Sequence, residues 1–299
     1  MDTLGYKNPV FFLFALSIAA EAWIIIRWHR STFPWKESLV SLFIALGGRG
    51  ASAVSAIPIW FTATWIYEHR IASFDLTHWY EWVILFVGHE FCYYWHHRAA
   101  HRCRWVWATH RVHHTPEHLT FSGAYRLAWT SLLSGIFLFF MPLVWLGFPP
   151  MAVFELFTAS LVYQFWLHTD LIPKLGALEW LLNTPSNHRV HHAINPEYIN
   201  ANYGGVLMIF DHWFGTYQPE RDDLPCRYGV LGEAASHNPF KVLFDEWIRI
   251  VRDLLGEGAL GSKVMLAFGP PGGIADRFHA DARQPSLRSV TEQVPRSIE

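Results

Sequence analysis

Long apolar runs alternate along this chain with short polar stretches, and the polar stretches are where histidine collects. A bilayer core of roughly 30 Å needs about 20 mostly apolar helical residues, and four runs meet that length clearly. They are Pro9 to Trp28, where Glu21 is the only charge before Arg27; Tyr80 to Trp95; Leu127 to Phe148; and Met151 to Leu167. The last two, separated by little more than Pro149-Pro150, predict a tight helical hairpin. A fifth run, Leu39 to Tyr67, is long enough but contains Gly47-Gly48-Arg49-Gly50, which predicts a broken, tilted helix or an interfacial helix followed by a short span. The expected fold is therefore all-α: an integral membrane bundle of about four to five transmembrane helices with a helical, histidine-rich cap.

Retention of the first run is favoured over a cleaved leader, because its apolar character continues past Ala19-Ala20-Glu21-Ala22 through Trp23-Ile24-Ile25-Ile26. With five crossings, one side of the membrane carries Arg27, Arg30 and Lys36, then Arg98, Arg102, Arg104, Arg111 and Arg126, and everything after His168. By the bias of Lys and Arg toward the inside, that side is cytoplasmic, and all the dense histidine groups share it. Beyond the last run, Asn238 precedes Phe240, Leu243, Trp247, Ile250, Val251 and Leu254 at helical spacing, an amphipathic helix expected to pack against the histidine region rather than lie on the membrane. Gly, Pro and scattered charges after it predict an unstructured tail over 257–299.

Composition agrees with the pattern: 52% of residues are hydrophobic and only 16% charged, too apolar for an ordinary soluble domain. A net charge of -2, with no basic run, sets nucleic acid aside as a partner. Cys92, Cys103 and Cys226 are far apart and form no C-x-x-C pair, so neither disulfides nor a thiolate metal site is expected.

Of 18 histidines, 15 lie between His69 and His212. His97 and His101 are one helical turn apart, the i, i+4 spacing that grips one metal. The pentapeptide HRVHH occurs twice, as His110-Arg111-Val112-His113-His114 and as His188-Arg189-Val190-His191-His192, each placing three imidazoles on one side of a helix. Imidazole is neutral near pH 7 and suits iron, zinc, copper or nickel. Eight such nitrogens exceed what one ion uses, so two adjacent ions are expected. A zinc-protease reading fails, since His89-Glu90-Phe91-Cys92-Tyr93 is H-E-x-x-Y. On the helix, Glu90 and Tyr93 line up with His97 and His101, making Glu90 a candidate to accept an imidazole N–H and hold its tautomer, while His89 and His96 point away as network histidines. His168 is a candidate ninth ligand with Asp170 as an orienting carboxylate. For Asp211 and His212, structural hydrogen bonds are the better expectation, and Arg111 and Arg189 should project toward headgroups, carboxylates or solvent.

"YYWHHRAAH", "WATHRVHHTPE" and "LNTPSNHRVHHAINPEYINANYGGVLMIFDHWFGTY" resemble the three histidine boxes of the membrane fatty acid hydroxylase and sterol desaturase family. The third is similar to the alkylglycerol monooxygenase-like branch, from which Arg102 and the stretch His118 to Arg126 depart. The resemblance implies a fatty acid hydroxylase-like di-iron domain over 79–256 behind anchor helices in 1–78. It implies iron-ligand roles for His97, His101, His110, His113, His114, His188, His191 and His192, and supports His168. It further implies O2-dependent hydroxylation or desaturation of a lipid C–H bond, in a bacterial inner membrane or endoplasmic reticulum, with the centre on the cytoplasmic face. No G-x-G-x-x-G loop is present, so electrons are expected from a separate electron-transfer protein or a pterin. A metal transporter or metal store is the alternative; a transporter would spread its ligands through the bilayer depth.

Overall fold

The computed structural model describes residues 9–28 and 32–272. Every element among them is helical, apart from one isolated antiparallel bridge, Leu182 to Leu207. Helix α1 (Pro9–Arg27) matches the first apolar run and α3 (Trp79–Arg102) the second. Between them, α2 (Trp35–Glu68) is continuous over 34 residues, roughly 50 Å at 1.5 Å per residue. The expected break at Gly47-Gly48-Arg49-Gly50 does not occur. The indole of Trp129 lies in the notch these glycines leave: a Cβ on Gly47 would sit 2.0 Å from its ring, and Trp129 Nε1 donates to the Ile44 carbonyl at 2.8 Å. Glycine here serves close approach rather than chain reversal. Among the described residues, α2 is long and apolar enough to cross a bilayer on length and composition.

Cys103, in an extended conformation, is the single residue between α3 and α4 (Arg104–His114), and it turns the chain so that His97 and His101 meet the first HRVHH. The expected helical hairpin is only half formed. Its first arm is three short pieces, α5 (Ser131–Ser134), a 3-10 turn at Ile136–Phe140 and α6 (Met141–Leu146). Gly135, at φ +72°, turns the first joint, and Gly147, at φ +117°, ends the arm where a Cβ would lie 2.2 Å from the Ala72 carbonyl. The second arm, α7 (Pro150–Phe165), is regular, with Pro150 in its first turn, where the missing N–H costs nothing.

The short α8 (Leu178–Leu181) leads to α9 (Pro185–His192), capped by Thr184; α10 (Ile209–Phe214) follows after a looped stretch. Helix α11 (Pro239–Leu255) starts where expected, with Asn238 Oδ1 accepting from the amides of Phe240 and Lys241. Its buried Val242, Leu243, Trp247 and Ile250 pack on the back of α4, joining Val112, Val40 and Ile44 in one cluster and Ala108 in another. The expected tail is also corrected: Leu260–Phe268 is a helix, α12. Buried Ala267, the stacking of Phe268 on Trp105 and a hydrogen bond from Arg104 to the Leu266 carbonyl hold it to α4. Tail residues from 273 onward lie outside the described set. Buried Glu21 in α1 accepts from the Phe121 amide at 2.8 Å and from the Thr169 hydroxyl at 2.6 Å, bracing the loop that carries His168.

Candidate metal centre

Nine imidazoles meet where the C-terminal ends of α3 and α4, the exit of α7 and all of α9 converge. They divide into two pockets, each with its potential ligand atoms within 4.8 Å of one another: His97, His101, His110, His114 and His191 in one, His113, His168, His188 and His192 in the other. Each HRVHH sends its i and i+4 rings to one pocket and its i+3 ring across to the other. His110 and His114 share the first pocket while His113 crosses; His188 and His192 share the second while His191 crosses. This follows from helix geometry, since i and i+4 lie about 40° apart while i+3 lies about 60° to the other side.

The hydrogen bonding tests whether cations fit. The Nδ1 atoms of His97, His191 and His168 lie 2.9, 3.0 and 2.9 Å from the carbonyls of Tyr203, Ala201 and Gln164. A carbonyl only accepts, so each Nδ1 carries the proton and each neutral ring turns a lone pair inward from Nε2. Those lone pairs point at other ring nitrogens. His168 Nε2 lies 3.0 Å from His113 Nε2 and 2.9 Å from His188 Nε2; His97 Nε2 lies 3.0 Å from His110 Nε2. His101 Nε2 is buried without a partner. Acceptors crowded around a common point are what a cation satisfies, and a backbone carbonyl on the far nitrogen is the usual way a ligating ring is oriented. Burial pushes the rings of His168 and His191 down to about 4, and those of His110, His113, His114, His188 and His192 well below the usual histidine range. All are neutral at pH 7 and ready to bind. A cavity of about 800 Å³ opens on the five-nitrogen pocket, touching His101, His114 and His191, and reaches only His192 of the other.

Both carboxylates expected beside the rings act elsewhere. Glu90 Oε2 accepts the amides of Val206 and Leu207 at 2.7 and 2.8 Å and touches no pocket imidazole. It anchors the loop whose Tyr203 carbonyl orients His97. Asp170 accepts from the Tyr228 hydroxyl at 2.6 Å, leaving His168 to the Gln164 carbonyl one helical turn back. Asp211 is structural, as expected, taking the amides of Tyr203 and Gly204 and the Thr216 hydroxyl. His212 bonds the Trp180 carbonyl and stacks on the Trp180 indole. Arg111 and Arg189 both find carboxylates, Glu233 and Glu220. Sequence reasoning missed Asn202. In the left-handed region at φ +58°, it bridges the Asn187 and Gln218 carbonyls and sits between the two carbonyls that orient His191 and His97. Its one visible signal was an Asn-x-Asn-x-Gly-Gly run (residues 200–205) just after the second HRVHH.

The architecture defines a helical protein with paired, imidazole-rich pockets able to hold two ions. The fatty acid hydroxylase family model matches residues 82–216, which enclose both pockets. Alkylglycerol monooxygenase of Xenopus tropicalis is 35% identical over 278 residues, 91% of this chain and 60% of that protein. The Homo sapiens alkylglycerol monooxygenase is 34% identical over 236 residues, 76% of this chain and 52% of the relative. An ornithine lipid hydroxylase of Rhizobium tropici is 29% identical over 146 residues, 49% of this chain and 44% of that protein. The chain thus spans about half to three-fifths of the length of the alkylglycerol monooxygenases quoted. No solved structure matches it significantly. Residues 82–216 thus match the fatty acid hydroxylase family model, and the chain is similar to the alkylglycerol monooxygenases over most of its length.

Proposed function

We propose that this protein is a membrane-embedded di-iron oxygenase that hydroxylates or desaturates a C–H bond of a lipid, an alkyl glycerol ether being the first substrate to test. The observation that carries this is the pair of neutral, buried imidazole pockets at the foot of apolar helices. His97, His101, His110, His114 and His191 would hold one iron, and His113, His168, His188 and His192 the other. Two irons supply activation of O2 for attack on an unactivated C–H bond, with electrons from a separate electron-transfer protein or a pterin.

The chain's own part is to hold, orient and dry the site. Carbonyls of Tyr203, Ala201 and Gln164 set the tautomers of three ligands. On α3, Trp82, Val83, Ile84, Val87, Phe91 and Trp95 form an exposed apolar side, while His89, Glu90, Tyr93 and His97 are buried on the other. Such an apolar face supports seating in lipid, and α1 and α2 carry similar ones. A lipid could then reach the pockets without crossing water, with the centre at the cytoplasmic face of a bacterial inner membrane or of the endoplasmic reticulum. Residues 79–256 form the oxygenase unit in this reading, with the helices within 1–78 serving as its membrane anchor.

Metal analysis of protein loaded anaerobically with iron, followed by lipid mass spectrometry with O2 and reductant, tests this. About two irons per chain and a lipid mass change of about +16 or -2 are expected. Metal bound with no lipid product under any reductant would overturn it in favour of a storage or transport role.

A further inference from the structure

Eleven buried side-chain atoms lack a hydrogen-bond partner among the described residues, and five of them fall within eight residues of α3: both ring nitrogens of His89, both of His96 and Oε1 of Glu90. None belongs to a metal pocket. His89 is 0% exposed, Glu90 1% and His96 6%. His89 Nδ1 lies 3.6 Å from the free Glu90 oxygen, too far for a hydrogen bond. Leaving this many polar atoms dry is costly, because each forfeits its hydration without replacement. Packing alone gives no reason for it, since an aliphatic or aromatic residue would fill these places more favourably.

Both imidazoles rest on Phe140, at ring distances of 5.0 Å for His89 and 5.9 Å for His96; Phe139 adds to the His96 wall and Phe157 to that of His89. Phe139 and Phe140 close the 3-10 turn of the interrupted arm. The His96 ring is 6.4 Å from that of His97, a pocket ring. A polar group held here lies beside the metal centre, on its apolar side.

We propose that His89, Glu90 and His96 form the binding site for the hydroxyl-bearing end of the lipid substrate, fixing which carbon, a few bonds away, is presented for oxidation. The inference rests on the lipid-oxygenase reading and adds the substrate's polar chemistry. Each imidazole offers one donor and one acceptor and the free carboxylate oxygen an acceptor, a set that matches a pair of hydroxyls. Glu90 keeps its other oxygen on the Val206 and Leu207 amides, so the pocket is tied to the loop that orients His97.

The test uses the full chain in lipid nanodiscs, loaded with iron. Probes are 1-O-hexadecylglycerol and the same lipid with both hydroxyls methylated. Wild type should bind the free diol at least tenfold more tightly, since a site built for hydroxyls penalises their loss. The double variant His89→Val with His96→Phe should weaken diol binding at least tenfold, leave the methylated lipid unchanged and keep the iron content. Its lipid-free melting temperature should be equal or higher, because two unpartnered imidazoles are gone. The milder His89→Asn with His96→Asn, which restores donors and acceptors, should recover much of the diol preference and guards against a packing artefact. Equal binding of the two lipids by wild type, or undiminished diol preference in the Val/Phe variant, overturns the proposal and leaves these nitrogens to ordered water. Diol preference lost in the variant, with no oxidised product from wild type, would sink the oxygenase reading and keep the pocket. Oxidation of both lipids alike, with variants indifferent, would do the reverse.

Discussion

The pentapeptide His-Arg-Val-His-His closes α4 at residues 110–114 and α9 at 188–192, and the two copies sit in different surroundings. The first ends an 11-residue helix whose back is covered by α11 and α12, and His110 and His113 keep some exposure. The second fills an eight-residue helix in which every residue is buried. So short a helix is marginal alone, and its surroundings supply the stability. Asn187 donates to the Glu179 and Leu182 carbonyls, and Asn202 to the Asn187 carbonyl. Arg189 grips Glu220 through two nitrogens and the carbonyls of Thr169 and Ile172 through a third. Arg111 meets Glu233, which also has Arg249. One local geometry is thus used twice, once on a packed amphipathic helix and once on a helix that its partners hold together.

The largest effect should separate the pockets. His188→Ala leaves three imidazoles in the four-nitrogen pocket, whereas His110→Ala leaves four in the other. The first should drop bound iron to about one per chain and turnover by more than 100-fold; the second should retain more of both, as read by metal analysis and product formation. Equal losses would mean that the extra ring carries no redundancy.

Acid should act on both copies. The folded rings titrate below the unfolded value near 6.5, with His168 and His191 at about 4. Above pH 6.5 neither state holds the extra protons, and stability is at its full value. As pH falls from 6.5 toward 4 the unfolded chain takes up protons that the folded rings refuse, at about 1.4 kcal/mol per pH unit for each ring. Melting temperature and bound metal should therefore fall together in that window; a flat profile would mean the rings are wetter than their burial implies.

Removing each arginine sharpens the contrast in support. Arg189→Met strands Glu220 and two carbonyls and should cost roughly 3–5 kcal/mol in denaturant unfolding. Arg111→Met leaves Glu233 with Arg249 and should cost clearly less. The smallest effect is at the cap: Thr184→Ala should cost about 1 kcal/mol through α9, with no counterpart at α4, whose N-terminus has no side-chain cap.

Much of this was legible beforehand. The histidine spacings, the N-terminus of α11 at Asn238 and the structural part of Asp211 follow from local rules. Glu90 and Asp170 bond elsewhere than their spacing suggests for one shared reason. In sequence a carboxylate in line with a histidine reads as its partner, but backbone carbonyls of Tyr203 and Gln164 hold those positions, and carbonyls leave no mark in a sequence. The glycines of α2 read as a break in sequence because their neighbour Trp129 lies some eighty residues away in the chain.

By itself the amino-acid order determined the spans of α1, α3, α7 and α11 and which rings share a turn, because 3.6 residues per turn makes i and i+4 neighbours wherever a helix forms. Tertiary structure alone decided that each crossing i+3 ring meets a pocket built with the other copy, which nitrogen carries the proton, and that His89 and His96 lie dry beside the centre. Those outcomes depend on how separate segments approach in space, where the energy of a buried polar atom is set by whatever faces it.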